Sequence, residues 1–401
     1  MFILKKIGCR LFQGAFRAVL PILPYREPVI ISSCTALGDV FKKEGSESAL
    51  IVTDAGIVKN GLTASLEATL KESSVRYTVY DKTQPNPTVE NVEEALALYQ
   101  KHHCDTLIAI GGGSPMDCAK AVGERVVYPQ KTLRSMRGVL RVLRKLPTLI
   151  AIPTTAGTGS ETTLAAVVTD HRTRYKYSLI SFPLIPHYAV LDAALTVTLP
   201  PFMTATTGMD ALTHATEAYI GRSTTRETRE LALEAARLVF ENVERAYRDG
   251  NDHAARENML HAAYKAGVAF SKSYVGYIHA IAHSLGGQYS IPHGLANAVI
   301  MPYVLESYGK SAYKKLHRLG IAAGVCSAND SYEAGAKKFI EAIKALNAKM
   351  SIPETLTGIE GQDIPEMAKH AEKEANPLYP VPKLMTRKEL EIFYYKVGGI
   401  Q

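Results

Sequence analysis

No uninterrupted stretch of about 18 apolar residues occurs in this chain, so a membrane-spanning helix is not expected. Cysteine is sparse and scattered. The five residues Cys9, Cys34, Cys104, Cys118 and Cys326 form no CxxC pair. That argues against a disulfide framework or a thiolate metal site, and for a reducing, cytoplasmic setting. No compositionally biased tract and no internal repeat is visible, which excludes low-complexity and solenoid architectures. The GxGxxG fingerprint is missing, so an ordinary Rossmann site would be wrong in detail. No nucleic-acid-binding motif accompanies the basic residues, and nucleic acid is not expected as a partner.

What is present is a 401-residue chain with 46% apolar and 21% charged residues, long enough for two domains with full cores. Its net charge of +7 is uneven. Residues 1–26 carry five basic and no acidic side chains, and residues 124–145 carry seven basic and one acidic, so the remainder is slightly acidic. Residues 1–27 form a basic amphipathic segment. Lys6, Arg10, Gln13 and Arg17 are spaced to line one face of a helix, with Leu4, Leu11, Ala15 and Val19 elsewhere on it. Lys5, Lys6, Arg10 and Arg17 break the apolar run that a signal peptide needs. Two readings follow: a helix docked on the protein's own surface, or one that meets a membrane surface or a partner. Residues 131–145 are read as a second basic amphipathic helix, with Arg134, Arg137, Arg141 and Arg144 beside Leu133, Met136, Leu140 and Leu143, offering a solvated face or a surface for an anionic partner, a membrane or an acidic substrate.

From 28 to 199, apolar strands alternate with helices. Ala49–Asp54, Arg76–Tyr80, Thr106–Ile110 and Leu149–Ile152 read as strands, and 60–72, 88–102 and 115–124 as helices. This pattern predicts a parallel sheet covered on both faces, an α/β dinucleotide-binding domain. Strand signals nearly vanish after Leu199-Pro200-Pro201, and 200–401 reads as an all-helical domain.

Two strands run into loops suited to phosphate. Gly111-Gly112-Gly113-Ser114-Pro115 joins a strand to a helix; glycines admit a pyrophosphate closely, and the helix N-terminus favours an anion. Pro153–Thr163 offers hydroxyls and glycines at a second strand end. Asp54 ends the first strand of the unit. A carboxylate there accepts from a ribose diol and repels a 2′-phosphate, favouring NAD over NADP; the plainer reading is a helix cap.

Asp210 and His214 stand four apart on a helix pattern, as do His279 and His283, and His293 follows in a Pro-His-Gly turn. A lone histidine on an apolar helix is usually a core residue. Ligand pairs on two helices plus a third site can converge on one ion, and imidazole with carboxylate suits Fe(II), Zn or a similar metal.

The motifs IAIGGGSPMDCAKA, IPTTAGTGSE, GMDALTHATEAY and HAIAHSLGGQYSIPHGLANA, in this order, resemble the iron-dependent (group III) alcohol dehydrogenase family over about residues 28–396. The resemblance implies an N-terminal dinucleotide-binding domain, a C-terminal helical domain, an active site in the cleft between them, and a homodimer. It implies metal ligation by Asp210, His214, His279 and His293, with His283 lining the site. Gly112, Gly113, Ser114 and Asp117 match pyrophosphate-side positions, and Thr154, Thr155, Thr158 and Thr163 the second cofactor loop. Asp54 matches the NAD-discriminating position, and Lys176 a cofactor-contacting lysine. Ala165 stands where the family often has a polar residue, which speaks against polyol substrates.

The expected activity is hydride exchange between NAD and a small alcohol or aldehyde. His283 is the candidate for proton relay or substrate positioning, or else it orients a ligand. Alternatives are a dehydroquinate-synthase-like lyase using NAD and a metal, a zinc polyol dehydrogenase of the glycerol type, and a non-enzymatic scaffold or membrane-associated protein.

Overall fold

The short apolar runs form strands because their alternate residues bury against two separate layers. β1 (Val29–Ile31), β2 (Ser48–Val52), β3 (Arg76–Tyr80), β4 (Thr106–Gly111), β6 (Thr148–Pro153) and β9 (Tyr188–Val190) make one sheet in the order β1-β9-β6-β4-β2-β3. Every pairing in it is parallel. Leu50, Val52, Leu107, Ala109, Leu149 and Ala151 enter one core cluster. Their neighbours Ala49, Ile51, Ile108, Ile110, Ile150 and Ile152 enter the other. That is the period-two partition of a sheet buried on both faces.

The structure, a computed structural model, describes residues 2–170 and 175–400. It divides into two units, Pro24–Thr198 and Leu199–Gln401, with Met1–Leu23 belonging to the second. Strand order reverses around β2, which has β3 on one side and β4 on the other. Ligands of open α/β sheets sit at the carboxyl ends of strands at such a point. Here those ends carry Asp54 and the Gly111–Gly113 loop.

A second sheet was not expected from the sequence. β5 (Gly138–Val139), β8 (Tyr175–Ile180) and β7 (Ala165–Asp170) lie in that order, β7 and β8 antiparallel. β5 also corrects the reading of 131–145 as an amphipathic helix. Only Leu133–Met136 is helical, and Gly138 (φ +97°) and Leu140 (φ +56°) adopt backbone angles a right-handed helix excludes. The Leu/Arg spacing arises instead from a loop whose Leu133, Met136, Val142 and Leu146 are buried.

Among the described residues the Leu199–Gln401 unit contains helices but no strand. The N-terminal segment is a helix, Phe2–Val19, docked on this unit by its polar stripe. Arg10 donates to the carbonyls of Val381 and Pro382, and Gln13 to those of Pro377 and Tyr379. The self-docked reading describes this stripe, and residues 1–23 are therefore part of the helical unit. No helix of the described residues is long and apolar enough to cross a membrane.

Candidate active site and metal centre

Three helices of the second unit bring ionisable groups to one point. Pro201–Ile220 carries Asp210 and His214, Tyr277–Tyr289 carries His279 and His283, and His293–Tyr308 begins with His293. Close approach of the first and third depends on Gly294: a Cβ there would stand 2.3 Å from the Thr206 carbonyl oxygen. One ligand atom from each of Asp210, His214, His279 and His293 lies within 4.8 Å of the others. Asp210 Oδ1 is 3.8 Å from His279 Nε2 and 3.6 Å from His293 Nε2. Tetrahedral ligands about 2.1 Å from a shared ion stand roughly 3.4 Å apart. The three imidazoles and one carboxylate therefore fit a divalent metal in both chemistry and spacing.

The surroundings support that fit. Burial lowers the His279 pKa well below its ordinary value, with His214, His293 and His283 adding to the shift, so its imidazole is neutral. Burial raises Asp210 to about 7, opposed by the Asn297 amide, which donates to Asp210 Oδ1 at 2.7 Å. The Asn297 Nδ2 also lies 3.3 Å from His279 Nε2 and 3.1 Å from His293 Nε2, so three acceptor atoms converge on one locus. His214 stacks between the rings of Phe270 (4.1 Å between centroids) and His279 (4.5 Å).

Glu217, buried three residues past His214 on the same helix, sets the orientation of His279. Its carboxylate accepts from the Gly276 and Ile278 amides at 2.7 and 2.8 Å and meets His279 Nδ1 at 2.7 Å. Burial raises Glu217 to about 7, opposed by these hydrogen bonds. In its ionised form the carboxylate only accepts, so His279 then carries its proton on Nδ1 and turns the Nε2 lone pair to the cluster. A Cβ on Gly276 would lie 2.6 Å from Glu217 Oε1, so this close pairing requires glycine there.

His283 stands apart from the four. Its ring stacks on His293 at 5.1 Å, its side chain is 41% exposed, and its Nδ1 lies 2.6 Å from Glu374 Oε1. Tyr379 donates to the same oxygen at 2.7 Å. Spacing in the sequence gave no sign of Asn297, Glu217, Glu374 or Tyr379. The one available hint was that Glu217 and Asn297 fall within the quoted motifs.

In the first unit the two loops are built as one body. Gly111 has φ +145°, reserved for glycine, and its carbonyl accepts from the Thr154 amide at 3.0 Å. A Cβ on Gly112 would lie 3.6 Å from Thr155 Oγ1, and one on Gly113 3.5 Å from Thr158 Cγ2. The helix Gly113–Val127 begins on Gly112 with no side-chain cap, leaving its first amides to a ligand or water. Thr155 Oγ1 is buried without a hydrogen-bond partner. Ser114 Oγ accepts from the Asn86 amide, whose side chain accepts from Lys176 Nζ at 2.7 Å.

Asp117 and Asp54 both bond to groups of the protein, Asp54 in the helix-cap role that the sequence also offered. The Asp117 carboxylate is turned into the protein, accepting from Ser160 Oγ and the Val167 amide, each at 3.0 Å. One helix turn on, buried Lys120 donates to the carbonyls of Ser160 and Ala165 and to Ser160 Oγ and Thr163 Oγ1. Burial lowers Lys120 to about 8, opposed by Asp117 and Glu161. Thr163 thus holds the loop together, while Thr158 Oγ1 accepts from the Ser160 amide. Asp54 caps the helix Ala55–Lys59, accepting from the Gly56 and Ile57 amides.

A doubly covered parallel sheet with glycine and threonine loops, and a helical unit with a three-histidine, one-aspartate cluster, define a metal-dependent nucleotide-linked oxidoreductase. The chain belongs to the iron-containing alcohol dehydrogenase family. Residues 31–193 match the family model for iron-containing alcohol dehydrogenase, and residues 204–397 the C-terminal model of the Fe-containing alcohol dehydrogenase family. It is 37% identical to a 1,3-propanediol dehydrogenase of Citrobacter freundii, over 94% of this chain and 98% of that protein. It is 36% identical to an NAD-dependent methanol dehydrogenase of Bacillus methanolicus, over 84% and 88%. The crystal structure of a 1,3-propanediol oxidoreductase superposes with a TM-score of 0.89 at 33% identity, covering 93% of this chain and 99% of that one. The protein is accordingly a metal-dependent alcohol oxidoreductase, and the lyase alternative finds no support.

Proposed function

We propose that the protein exchanges hydride between NAD and a small primary alcohol or its aldehyde, with Fe(II), or alternatively Zn, held by Asp210, His214, His279 and His293. The convergence of these four ligand atoms within 4.8 Å carries the reading. When bound, the metal supplies Lewis acidity toward the alcohol oxygen, and the nicotinamide takes up the hydride. The protein's own groups do the rest. Glu217 holds the His279 tautomer, and Asn297 orients Asp210. His283 would take the hydroxyl proton at Nε2 and release its Nδ1 proton to Glu374, and from there to solvent; the Nδ1–Glu374 contact supports this role.

The Gly112 and Gly113 amides, with Ser114, Thr154, Thr155 and Thr158, receive the pyrophosphate and ribose, and Lys176 adds a cation beside them. Asp117 and Thr163 shape the second loop, and Asp54 disfavours a 2′-phosphate from its place at the β2 end. Ala165 leaves no polar group for a polyol. The reading extends to a cytoplasmic homodimer, supported by the family resemblance. A panel of short alcohols, diols and aldehydes, followed by NADH and NADPH absorbance, tests it. NADH-linked turnover of monoalcohols or aldehydes is expected; turnover confined to NADPH or to polyols would reject the cofactor or substrate assignment.

A further inference from the structure

The basic excess at 124–145 has no part in the dehydrogenase site. In the structure it forms a loop pinned to the first unit. Leu133, Met136, Val142 and Leu146 are buried. The Leu140 amide donates to the Ile180 carbonyl at 2.7 Å, and the Val142 amide to Ser181 Oγ at 3.2 Å. Arg144 lies 4.8 Å from the Tyr128 ring centroid and donates to the Val127 carbonyl.

Between these anchors three aliphatic side chains face outward: Val139, Leu140 and Leu143 are 48%, 44% and 73% exposed. Leu140 does so at φ +56°, a costly conformation for leucine. Around them Lys131, Arg134, Arg137, Arg141, Arg144 and Lys145 are all exposed. Among the described residues none of these six forms an ion pair with a carboxylate.

We propose that this loop docks the protein on a bilayer rich in anionic phospholipid. The cations meet headgroup phosphates, and Val139, Leu140 and Leu143 enter the boundary with the acyl chains. The surface combines the two chemistries that such a bilayer offers, on a loop anchored by its buried side chains. A nucleic acid would use the cations but offers stacking faces, which aliphatic tips do not match. The Phe2–Val19 helix also exposes apolar residues, Ile7, Leu11 and Phe12 among them. Its Arg10 and Gln13 are turned inward, so charge does not say what covers that face.

The test is co-sedimentation of the full chain with vesicles of phosphatidylglycerol and phosphatidylcholine, against phosphatidylcholine alone. Binding is expected to the anionic vesicles only, and to fall at about 1 M salt, where the Debye length shrinks to about 3 Å. Each cation is worth about fivefold, so Arg134→Gln/Arg137→Gln/Arg141→Gln weakens binding by about 10²-fold. Leu143→Ser weakens it by about tenfold. Both variants alter exposed side chains, and an unchanged Tm shows that they fold. No binding to anionic vesicles overturns the proposal, as does full binding by the triple variant. Binding lost only in Leu11→Gln/Phe12→Gln places the contact on the N-terminal helix and overturns it too. Equal affinity for heparin, with Leu143→Ser without effect, identifies a polyanion site instead.

Discussion

Glu217→Gln tests whether the carboxylate behind His279 governs metal binding. Glutamine keeps the size of the side chain and, with its oxygen at the Oε1 position, an acceptor for the Ile278 amide. Its other terminal atom is an NH2 donor. Facing His279 Nδ1 at 2.7 Å, that donor requires an acceptor, which moves the ring proton to Nε2 and removes the lone pair from the cluster. The alternative, with oxygen toward His279 and Gly276, leaves the buried Ile278 amide against a donor. Loss of such a partner behind a histidine ligand typically costs 10–100-fold in metal affinity, about 1.4–2.7 kcal/mol.

The readout is metal affinity itself, by titration calorimetry or by metal content after dialysis against a buffered metal. Thermal unfolding gives a second view, because saturating metal stabilises by RT ln(1 + [L]/Kd), and a 100-fold weaker site gives back about 2.7 kcal/mol. Gly276→Ala reaches the same end from the other side, since its Cβ would stand 2.6 Å from Glu217 Oε1 and displace the carboxylate. A Glu217→Gln protein whose metal Kd stays within about twofold of the parent refutes the tautomer argument.

Three further outcomes follow from the same geometry. His283→Ala is expected to lower kcat by about 10²–10⁴ with metal content unchanged, and unaltered turnover removes His283 from proton transfer. Lys120→Met leaves the Asp117 carboxylate buried without the cation beside it and removes the ammonium that four acceptors of the second loop and β7 share; urea unfolding should show a loss of about 3–5 kcal/mol, together with a higher KM for the dinucleotide. Glu124 is fully buried, neither of its carboxyl oxygens has a hydrogen-bond partner, and burial raises its pKa from 4.5 to about 8. Its stability contribution is whole below pH 4.5 and is lost as pH rises through about 8. Glu124→Gln should therefore match the parent near pH 4 and exceed it by about 3 kcal/mol at pH 7, and a gain that does not grow with pH contradicts this.

The parts of the molecule written in local pattern were legible. β2, β4 and β6 each carry a run of four apolar residues, and the i,i+4 pairs Asp210/His214 and His279/His283 sit on helices as their spacing requires. The parts made by distant contacts were not. Glu374 is 91 residues from the histidine it meets, and Glu217 reaches Gly276 across 59 residues, separations that carry no periodic signal. Lys120 lies in plain view on the glycine-loop helix, but its four acceptors all lie 40 to 45 residues on. Residues 131–145 show the opposite failure: helical periodicity is present, yet Gly138 and Leu140 take angles that end the helix after Met136. The N-terminal helix has the expected polar stripe, but its direction is set by the carbonyls of residues 377–382, which a local pattern cannot announce.

Anaerobic purification with iron and zinc analysis, coupled to NADH formation from a short alcohol, tests the central claim most directly. Turnover is expected to rise with bound metal, disappear with a chelator, return with Fe(II) or Zn, and be absent, along with the metal, in Asp210→Ala and His279→Ala. Full turnover by metal-free protein, or a metal-loaded protein that exchanges no hydride with any alcohol or aldehyde, would contradict it.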